Sequence, residues 1–249
     1  MCRDCGCGGG KYGVSPLKGA APLDVGEKPA HLALHVPLLA ANDKQAEQNR
    51  QWLNERGILC INLMGTPGAG KTQLLQSTCE RGVFADLAIL EGDQQTDNDA
   101  IRIAQSGGRA VQINTGSGCH LDAEMIEEGL AALCPKDNSL LIIENVGNLV
   151  CPALFDIGEH ARVAMMAVTD GEDKPQKYPH MFSQCDLIVL NKVDLLPYVD
   201  FDVDRFKTEL KRLNPRGELI QLSAKSGEGI GTWLNWLTTR RQRDTALLA

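Results

Sequence analysis

Short, continuously apolar segments alternate with longer segments of helical character over most of the chain. The apolar segments have the length of β-strands and carry few polar residues, which is typical of strands buried on both faces. Seven strands are predicted: Ile58–Met64, Leu87–Glu91, Ala110–Asn114, Ser139–Glu144, Arg162–Val168, Asp186–Leu190 and Glu218–Leu222. The segments between them predict helices at Lys71–Arg81, Asn98–Gln105, Asp122–Leu133, Phe201–Leu213 and Glu228–Arg241. This alternation predicts an α/β fold with a mainly parallel sheet and helices on both of its faces.

The N-terminal part of the chain has a different character. Its first ten residues are rich in cysteine and glycine, and the following segment contains glycine and proline without a period of 2 or 3.6. A helix is predicted from Asn42, a good N-cap residue, through Arg56. The chain is therefore predicted to have three parts: a Cys-rich motif (1–10), a flexible linker (11–41) and a globular domain (42–249).

Composition and charge exclude several classes of function. Among the 249 residues, 43% are hydrophobic, and the formal net charge is −7. A chain this acidic has no broad basic face to neutralise phosphates, which argues against a nucleic-acid partner. The apolar stretch at 31–41 is far shorter than the roughly 20 residues that a membrane-spanning helix needs. We expect a cytoplasmic protein without membrane contact, whose nine cysteines serve metal binding or packing rather than disulfides.

A phosphate-binding loop joins the first predicted strand to the following helix. Residues 65–72, Gly-Thr-Pro-Gly-Ala-Gly-Lys-Thr, form a complete GxxxxGK(S/T) motif in the strand-to-helix context that gives it meaning. Lys71 would neutralise the β- and γ-phosphates of a nucleotide, and the Thr72 hydroxyl would bind Mg²⁺. A glycine-rich turn that matches by chance is the disfavoured alternative. The predicted nucleotide contacts in this loop are Gly65, Gly68, Ala69, Gly70, Lys71 and Thr72.

Two further loops predict that the base is guanine. Asn191-Lys192-Val193-Asp194 follows the sixth predicted strand, and Ser223-Ala224-Lys225 follows the seventh. The Asp194 carboxylate only accepts hydrogen bonds, and guanine offers N1–H and its N2 amino group side by side, whereas adenine has an acceptor at N1. Asn191 can connect the loop with the base edge, and the Lys192 stem can lie across the ring. The combination predicts a GTPase that binds GTP and GDP.

Together these motifs resemble those of the P-loop GTPases, and three more segments narrow the resemblance. They are Cys-x-x-Cys-Gly-Cys at residues 2–7, Gly-Cys-His-Leu-Asp-Ala at 118–123 and Glu-Asn-Val-Gly-Asn-Leu-Val-Cys-Pro at 144–152. The chain is similar in these segments to the HypB family of hydrogenase maturation GTPases, the nickel-incorporation factors. The resemblance implies a P-loop NTPase fold and GTP hydrolysis that controls nickel delivery. It also implies a hydrogenase large-subunit precursor and other maturation factors as partners.

The resemblance assigns candidate switch residues. Glu144 and Gly147 match the Glu-x-x-Gly that this family has in place of Asp-x-x-Gly. Glu144 ends an apolar strand, where a carboxylate indicates a ligand, and a magnesium or water-bridged role fits it. By the resemblance, Asp93 and Asp99 also position magnesium or water. Capping of the following helix by residues 97–99 explains that acidic segment equally well.

The rate of hydrolysis is expected to be low. The residue after Gly147 is Asn148, not the glutamine that orients water in Ras-like enzymes. We therefore expect intrinsic turnover below about 10 per second, the median for enzymes.

A metal site is predicted from Cys119, His120 and Cys151. The loops that carry them follow the third and fourth strands, and in a parallel sheet such loops emerge at the edge that bears the phosphate loop. From residue type alone, packing or surface roles explain the three side chains better; the resemblance assigns them to the family's metal site. Thiolate and imidazole ligands suit Ni²⁺ and Zn²⁺. Because structural zinc favours four ligands, we expect a homodimer, dependent on nucleotide state, that completes the site across a two-fold axis.

Cys2, Cys5 and Cys7 predict a second metal site. Their spacing lets three thiolates surround one ion, and removal of Met1 would add the α-amino group as a fourth donor. Such a site suits Ni²⁺, and also Zn²⁺ or Cu⁺. An oxidisable tail without metal is the alternative.

Two other functions stay open at this point. One is a nickel or zinc buffering protein with a vestigial nucleotide site, and the intact Lys71, Thr72 and Asp194 argue against it. The other is a GTPase chaperone for a different nickel enzyme such as urease, and the cysteine motif at residues 2–7 favours hydrogenase instead.

Overall fold

A seven-stranded parallel sheet forms the centre of the molecule. The computed structural model describes residues 32–93, 98–116 and 118–248. The strand order is β3-β2-β4-β1-β5-β6-β7, and every neighbouring pair is parallel. The strands are β1 (Leu59–Gly65), β2 (Leu87–Asp93), β3 (Arg109–Asn114), β4 (Leu140–Glu144), β5 (Ala161–Ala167), β6 (Leu187–Asn191) and β7 (Glu218–Gln221). The described helices are α1 (Leu32–Glu55), α2 (Lys71–Glu80), α3 (Asn98–Gln105), α4 (Ala123–Leu133), α5 (Lys174–Lys177), α6 (Pro179–Ser183), α7 (Val203–Leu213) and α8 (Ile230–Leu248).

The predicted fold class and strand pattern are confirmed. β1 lies between β4 and β5, and all of its residues are buried. Alternate residues of a strand face opposite sides of a sheet. On one side Ile61 belongs to the cluster that contains Leu74 of α2 and Trp233 of α8. On the other side Cys60 packs with Leu53 of α1. Both faces of β1 are covered, which is why it is mostly apolar, with Asn62 as its polar residue.

The first helix differs from its prediction. It begins at Leu32, ten residues before the predicted start at Asn42. Asn42 is therefore not an N-cap. Its Nδ2 donates to the Asp156 carbonyl at 2.7 Å, and its Oδ1 accepts from the Ala123 N–H at 2.9 Å. The polar pattern that resembles a cap is instead a contact that ties the middle of α1 to two other parts of the domain.

Two short helices were not predicted. α5 has four residues and α6 has five, and a proline lies in the first turn of each. Elements this short leave no periodic pattern, so only the proline positions indicate them.

The sheet brings all functional loops to one edge. Because the strands are parallel, the segments after β1, β2, β3, β4, β6 and β7 leave from their carboxyl ends and lie side by side. Within the described residues no helix is both long and apolar enough to cross a membrane.

Candidate functional site

The phosphate-binding loop connects β1 to α2 and lines a cavity of 620 Å³. Lys71 is the first residue of α2 and is only 7% exposed. Its Nζ lies 3.5 Å from the Thr66 carbonyl oxygen, so the side chain folds back along the loop. Gly70 has a φ of +96°, and a Cβ there would lie 2.5 Å from Asn191 Nδ2. The loop geometry therefore requires glycine at this position. Gly68 also lines the cavity.

Two acidic residues from neighbouring strands border the same cavity. Glu144 at the end of β4 accepts a hydrogen bond from the Thr72 hydroxyl at 2.9 Å. Glu91 of β2 is the register partner of Glu144, and the two residues are 2% and 5% exposed, respectively. Buried carboxylates are stable as anions only near compensating positive charge or hydrogen-bond donors. With Lys71 and Thr72 beside them, they form a site suited to a divalent cation and a phosphate.

The candidate switch residues lie around this cavity to different extents. Asp93 lines it, and its backbone carbonyl accepts from the Thr115 N–H at 2.9 Å. Gly147 also lines it, and a Cβ on Gly147 would lie 3.0 Å from Pro67 Cα, so the loop after β4 passes directly against the phosphate loop. Asp99 is the second residue of α3, and its side chain lies outside the described structure.

The base loops are tied to the phosphate loop by one buried amide. Asn191 Nδ2 donates to the Ala69 carbonyl at 2.7 Å, and Asn191 Oδ1 accepts from the Ala224 N–H at 2.9 Å. Asn191 thus joins two loops, whereas its motif predicts a connection between a loop and the base edge. Lys192 lines the cavity with a left-handed φ of +61°. Such a conformation is uncommon for a residue other than glycine, and Cys134 and Asn138 also adopt it.

Asp194 has the chemistry expected of a guanine contact. Its Oδ1 is buried and has no hydrogen-bond partner among the described residues. Asp194 is not among the residues that line the cavity. A buried carboxylate oxygen without a donor is costly, and a carboxylate accepts from two adjacent N–H groups, one at each oxygen. In the second base loop Ser223 is fully buried and its Oγ accepts from the Ser226 N–H at 3.1 Å, while Lys225 is exposed. The residues present therefore fit a guanine nucleotide.

The three candidate metal ligands converge. The ligand atoms of Cys119, His120 and Cys151 all lie within 4.8 Å of one another, the one such group found in the part of the chain that the structure describes. The two sulfur atoms are 2.9 Å apart, and Cys119 Sγ lies 3.7 Å from His120 Nδ1. The two loops come from different strands, β3 and β4, so the fold itself assembles the cluster.

The surroundings of His120 favour its neutral form. Burial lowers the pKa of His120, against the smaller opposing effect of the nearby Asp122 carboxylate. Its ring lies on Phe155, with a centroid distance of 4.0 Å. A neutral imidazole is the form that binds a metal ion.

The remaining described cysteines have other environments. Cys60 and Cys185 are buried, and burial raises the pKa of both thiols. Burial also raises the pKa of Cys79 to about 11. Cys134 is exposed at the end of α4. Cys2, Cys5 and Cys7 lie outside the described residues.

Some residues of this site are absent from the sequence-based prediction. Glu91 gives the same signal as Glu144, a carboxylate at the end of an apolar strand, so it could have been found. Asp170 follows β5, and its Oδ2 accepts from the Thr66 hydroxyl at 2.6 Å and from the Ala167 N–H at 2.9 Å. A polar residue after a central strand is the signal that could have indicated Asp170.

Comparison with known proteins agrees with this geometry. Residues 59–221 match the family model described as CobW/HypB/UreG, nucleotide-binding domain. The hydrogenase maturation factor HypB of Escherichia coli K12 is 52% identical over 211 residues, which cover 84% of this chain and 73% of that protein. HypB of Azotobacter vinelandii is 49% identical over 94% of this chain and 80% of its own length.

A solved structure gives the same result in three dimensions. The crystal structure of HypB from Helicobacter pylori in complex with nickel superimposes with a TM-score of 0.78 at 34% sequence identity. The match covers 82% of this chain and 97% of that one. The chain therefore belongs to the CobW/HypB/UreG family of P-loop GTPases and, within it, to the HypB hydrogenase maturation factors.

Proposed function

We propose that this protein is a GTP-hydrolysing metallochaperone that binds nickel and assists its insertion into a [NiFe]-hydrogenase precursor. The observation that carries the proposal is the segment between Glu144 and Cys151. It begins at a carboxylate that lines the nucleotide cavity and ends at a thiol of the metal cluster. One short stretch of chain thus takes part in both sites.

The nucleotide site has assigned roles under this proposal. Lys71 would neutralise the phosphates, and Thr72 and Glu144 would hold Mg²⁺. Asp93 and Asp99 are the candidates for positioning magnesium or water. Bound Mg²⁺ would supply charge neutralisation on the γ-phosphate. Gly65, Gly68, Ala69, Gly70 and Gly147 surround the phosphates, and Asn191, Lys192, Asp194, Ser223, Ala224 and Lys225 form the base site.

Slow intrinsic hydrolysis is part of the proposal. Asn148 stands where a water-orienting glutamine would be, and its amide is engaged elsewhere. Its Nδ2 donates to the Cys119 carbonyl at 3.2 Å, and its Oδ1 accepts from the Val150 N–H at 2.9 Å. The side chain is thus used to hold a loop, which fits a switch better than a rapid enzyme.

The cluster of Cys119, His120 and Cys151 is proposed to bind nickel or zinc. The nickel complex of the Helicobacter pylori relative supports nickel. Three protein ligands leave a position open, which a second copy or a client can fill. Cys2, Cys5 and Cys7 are proposed as a separate N-terminal metal site that precedes α1 and the GTPase domain. The proposal also includes a nucleotide-dependent homodimer, other maturation factors as partners and a cytoplasmic location.

Hydrolysis and metal stoichiometry measured together test this function. The full-length reduced protein should hydrolyse GTP slowly and bind two equivalents of nickel. Lys71→Ala should abolish hydrolysis and keep both metal equivalents, and Cys119→Ala should lose one equivalent and keep nucleotide binding. Metal binding without any GTP hydrolysis in the wild type would instead support a buffering protein.

A further inference from the structure

Two asparagines between Glu144 and Cys151 bond the loop that carries the other metal ligands. Asn145 and Asn148 both lie in this segment, and neither is a metal ligand. Each one makes a side-chain hydrogen bond to the backbone of the loop at 119–121, which follows a different strand. The candidate metal ligands are therefore connected to the nucleotide cavity in two ways. One is the chain segment from Glu144 to Cys151, and the other is the pair of asparagine hydrogen bonds.

Asn145 connects the cavity to Leu121, the residue that follows His120. It lines the cavity and is 1% exposed. Its Oδ1 accepts from the Leu121 N–H at 3.2 Å and from the Val146 N–H at 3.0 Å. Its Nδ2 donates to Asn62 Oδ1 of the central strand at 3.2 Å. Both polar atoms of its side chain are thus engaged, with one bond directed at the residue that follows His120.

Asn148 connects the phosphate loop to Cys119. Its backbone forms an isolated antiparallel bridge with Gly65, the first residue of that loop. Its Nδ2 donates to the Cys119 carbonyl at 3.2 Å. Asn148 is partly buried, so this contact is accessible to mutation without opening the core.

We propose that Asn145 and Asn148 are positioning residues that transmit nucleotide state to the metal ligands, an inference that rests on the proposed function. A shift of the segment after Glu144 acts on Cys151 directly. Through the two amides it also moves the backbone on both sides of His120, so all three ligands respond together. Without the side-chain amides of Asn145 and Asn148, only the position of Cys151 changes with nucleotide state.

The chemistry of the two side chains agrees with this role. A buried amide is costly unless its polar atoms are bonded, so an apolar residue would serve packing alone equally well. Hydrogen bonds between loops of separate strands have defined geometry and can be made or broken as a unit, which suits a two-state connection.

The test measures how much nucleotide state changes the nickel affinity, rather than the nickel affinity itself. Nickel dissociation constants are determined for the full-length reduced chain in which Cys2, Cys5 and Cys7 are replaced by alanine, so that nickel reports on the remaining cluster. They are measured without nucleotide, with GDP and with a non-hydrolysable GTP analogue. In this background the GTP analogue should change the nickel dissociation constant by about 5–150-fold, the usual range of allosteric coupling. Reciprocity requires nickel to change the affinity for the analogue by the same factor.

The variants separate the effect of losing the two amides from the effect of a general loss of stability. Asn148→Asp keeps the acceptor for the Val150 N–H and removes the donor to the Cys119 carbonyl, and Asn148→Ala removes both. Asn145→Ala removes the bond to Leu121. The coupling factor should fall towards one in each. The matched control is Asn214→Ala, because Asn214 is buried and bonds three backbone groups far from both sites, those of Phe182, Cys185 and Gly217. It should lose stability and keep the wild-type factor.

Each outcome decides the inference. Asn148 variants that keep the full coupling factor would overturn it, and if Asn145→Ala does not fold, the two Asn148 variants carry the test alone. The chain with only Cys2, Cys5 and Cys7 replaced can bind nickel and hydrolyse GTP but show the same nickel dissociation constant with and without the GTP analogue. That result would overturn the inference and leave the proposed function standing. A parent that binds no nickel at the cluster or hydrolyses no GTP would overturn both.

Discussion

At the scale of single residues, the proposed selection of guanine depends on one carboxylate, that of Asp194. Because Asp194 Oδ1 is buried without a partner among the described residues, Asp194→Asn would present an amide donor to the donors of guanine. GTP affinity should fall by about tenfold or more, the equivalent of a lost hydrogen bond to a charged group. Affinity for xanthosine triphosphate, which has an acceptor in place of the N2 amino group, should rise. Calorimetric titration with both nucleotides measures this.

The control for this change is Asp204→Asn. The Asp204 side chain is 94% exposed on α7. It should bind GTP as the wild type does. Unchanged GTP affinity in Asp194→Asn would show that the base lies elsewhere.

The Thr66–Asp170 contact predicts a second residue-scale effect. Asp170 holds the phosphate loop through the Thr66 hydroxyl, so Asp170→Ala should weaken nucleotide binding and lower the free energy of unfolding by about 1–3 kcal/mol. Thr66→Val should weaken binding as well. If the contact is the cause, the double variant should lose much less than the sum of the two single losses. Full additivity in the nucleotide affinities would contradict this role.

The sequence indicates those candidate residues whose chemistry shows in the local pattern. Lys71, Thr72 and Asp194 stand in motifs, and Glu144 interrupts an apolar strand. Asn145 is different, since its role depends on contacts with Asn62 and Leu121, which are 83 and 24 residues away. Neither a motif nor a period records such contacts, so the polar links between loops could not be predicted.

At the scale of elements, the strands were predictable because burial of the central ones on both faces makes the strand segments mostly apolar. Every predicted strand agrees with an observed one to within one or two residues. The beginning of α1 was not predictable in the same way. The stretch before Asn42 contains Pro37 and apolar residues without a helical period, so local rules placed a linker where the helix already begins.

One ion pair anchors α1 to the loop after β4. Arg50 Nη2 lies 2.7 and 2.6 Å from the two carboxylate oxygens of Asp156. Burial tends to raise the pKa of Asp156, but the Gly158 N–H and the Arg50 guanidinium lower it below its ordinary value overall. A depressed pKa contributes stability above the unfolded value, about 3.9 for Asp. That contribution is lost as the pH falls through the lower, folded value.

Asp156→Asn should therefore destabilise the protein at neutral pH by about 1 kcal/mol and flatten its stability curve at acid pH. Urea unfolding at pH 7 and at several acid pH values measures both effects. The control is Asp86→Asn, because Asp86 pairs with Lys136 at 3.4 Å on the surface, where ion pairs contribute little. An unchanged pH profile in Asp156→Asn would show that the pair does not anchor the helix.

At the scale of the whole molecule, the position of α1 determines where the N-terminal part can be removed. A chain that starts at 32 keeps the whole helix, so it should fold, hydrolyse GTP and lose one metal equivalent with Cys2, Cys5 and Cys7. A chain that starts at 42 places the Asn42 contacts to Asp156 and Ala123 at a fraying end. It should unfold at lower urea concentration than the first. Equal midpoints for the two chains would mean that these contacts contribute nothing.

The surface beside the metal cluster predicts the assembly. Cys151 is 6% exposed, but Val150 before it and Leu154 after it are 51% and 52% exposed. Large apolar residues on both sides of the candidate three-ligand metal site favour a second copy that covers them and completes the coordination. Nickel and a GTP analogue together should then give the strongest dimer. Sedimentation of the reduced protein in four states, apo, GTP analogue, Ni²⁺ and both, measures the dimer constants.

Leu154→Glu should weaken that dimer in all four states while leaving GTP hydrolysis by the monomer in place, because a charge would have to be desolvated at the interface. Val83→Glu provides the matched control, since Val83 is 53% exposed but lies between α2 and β2. Cys119→Ala should instead remove only the contribution of nickel to dimer stability, because the apolar surface is intact. If dimer constants are identical in the four states and insensitive to Leu154→Glu, the copies do not meet at the cluster. The open coordination position would then be left for a client protein, and metal transfer would not require the two subunits to separate.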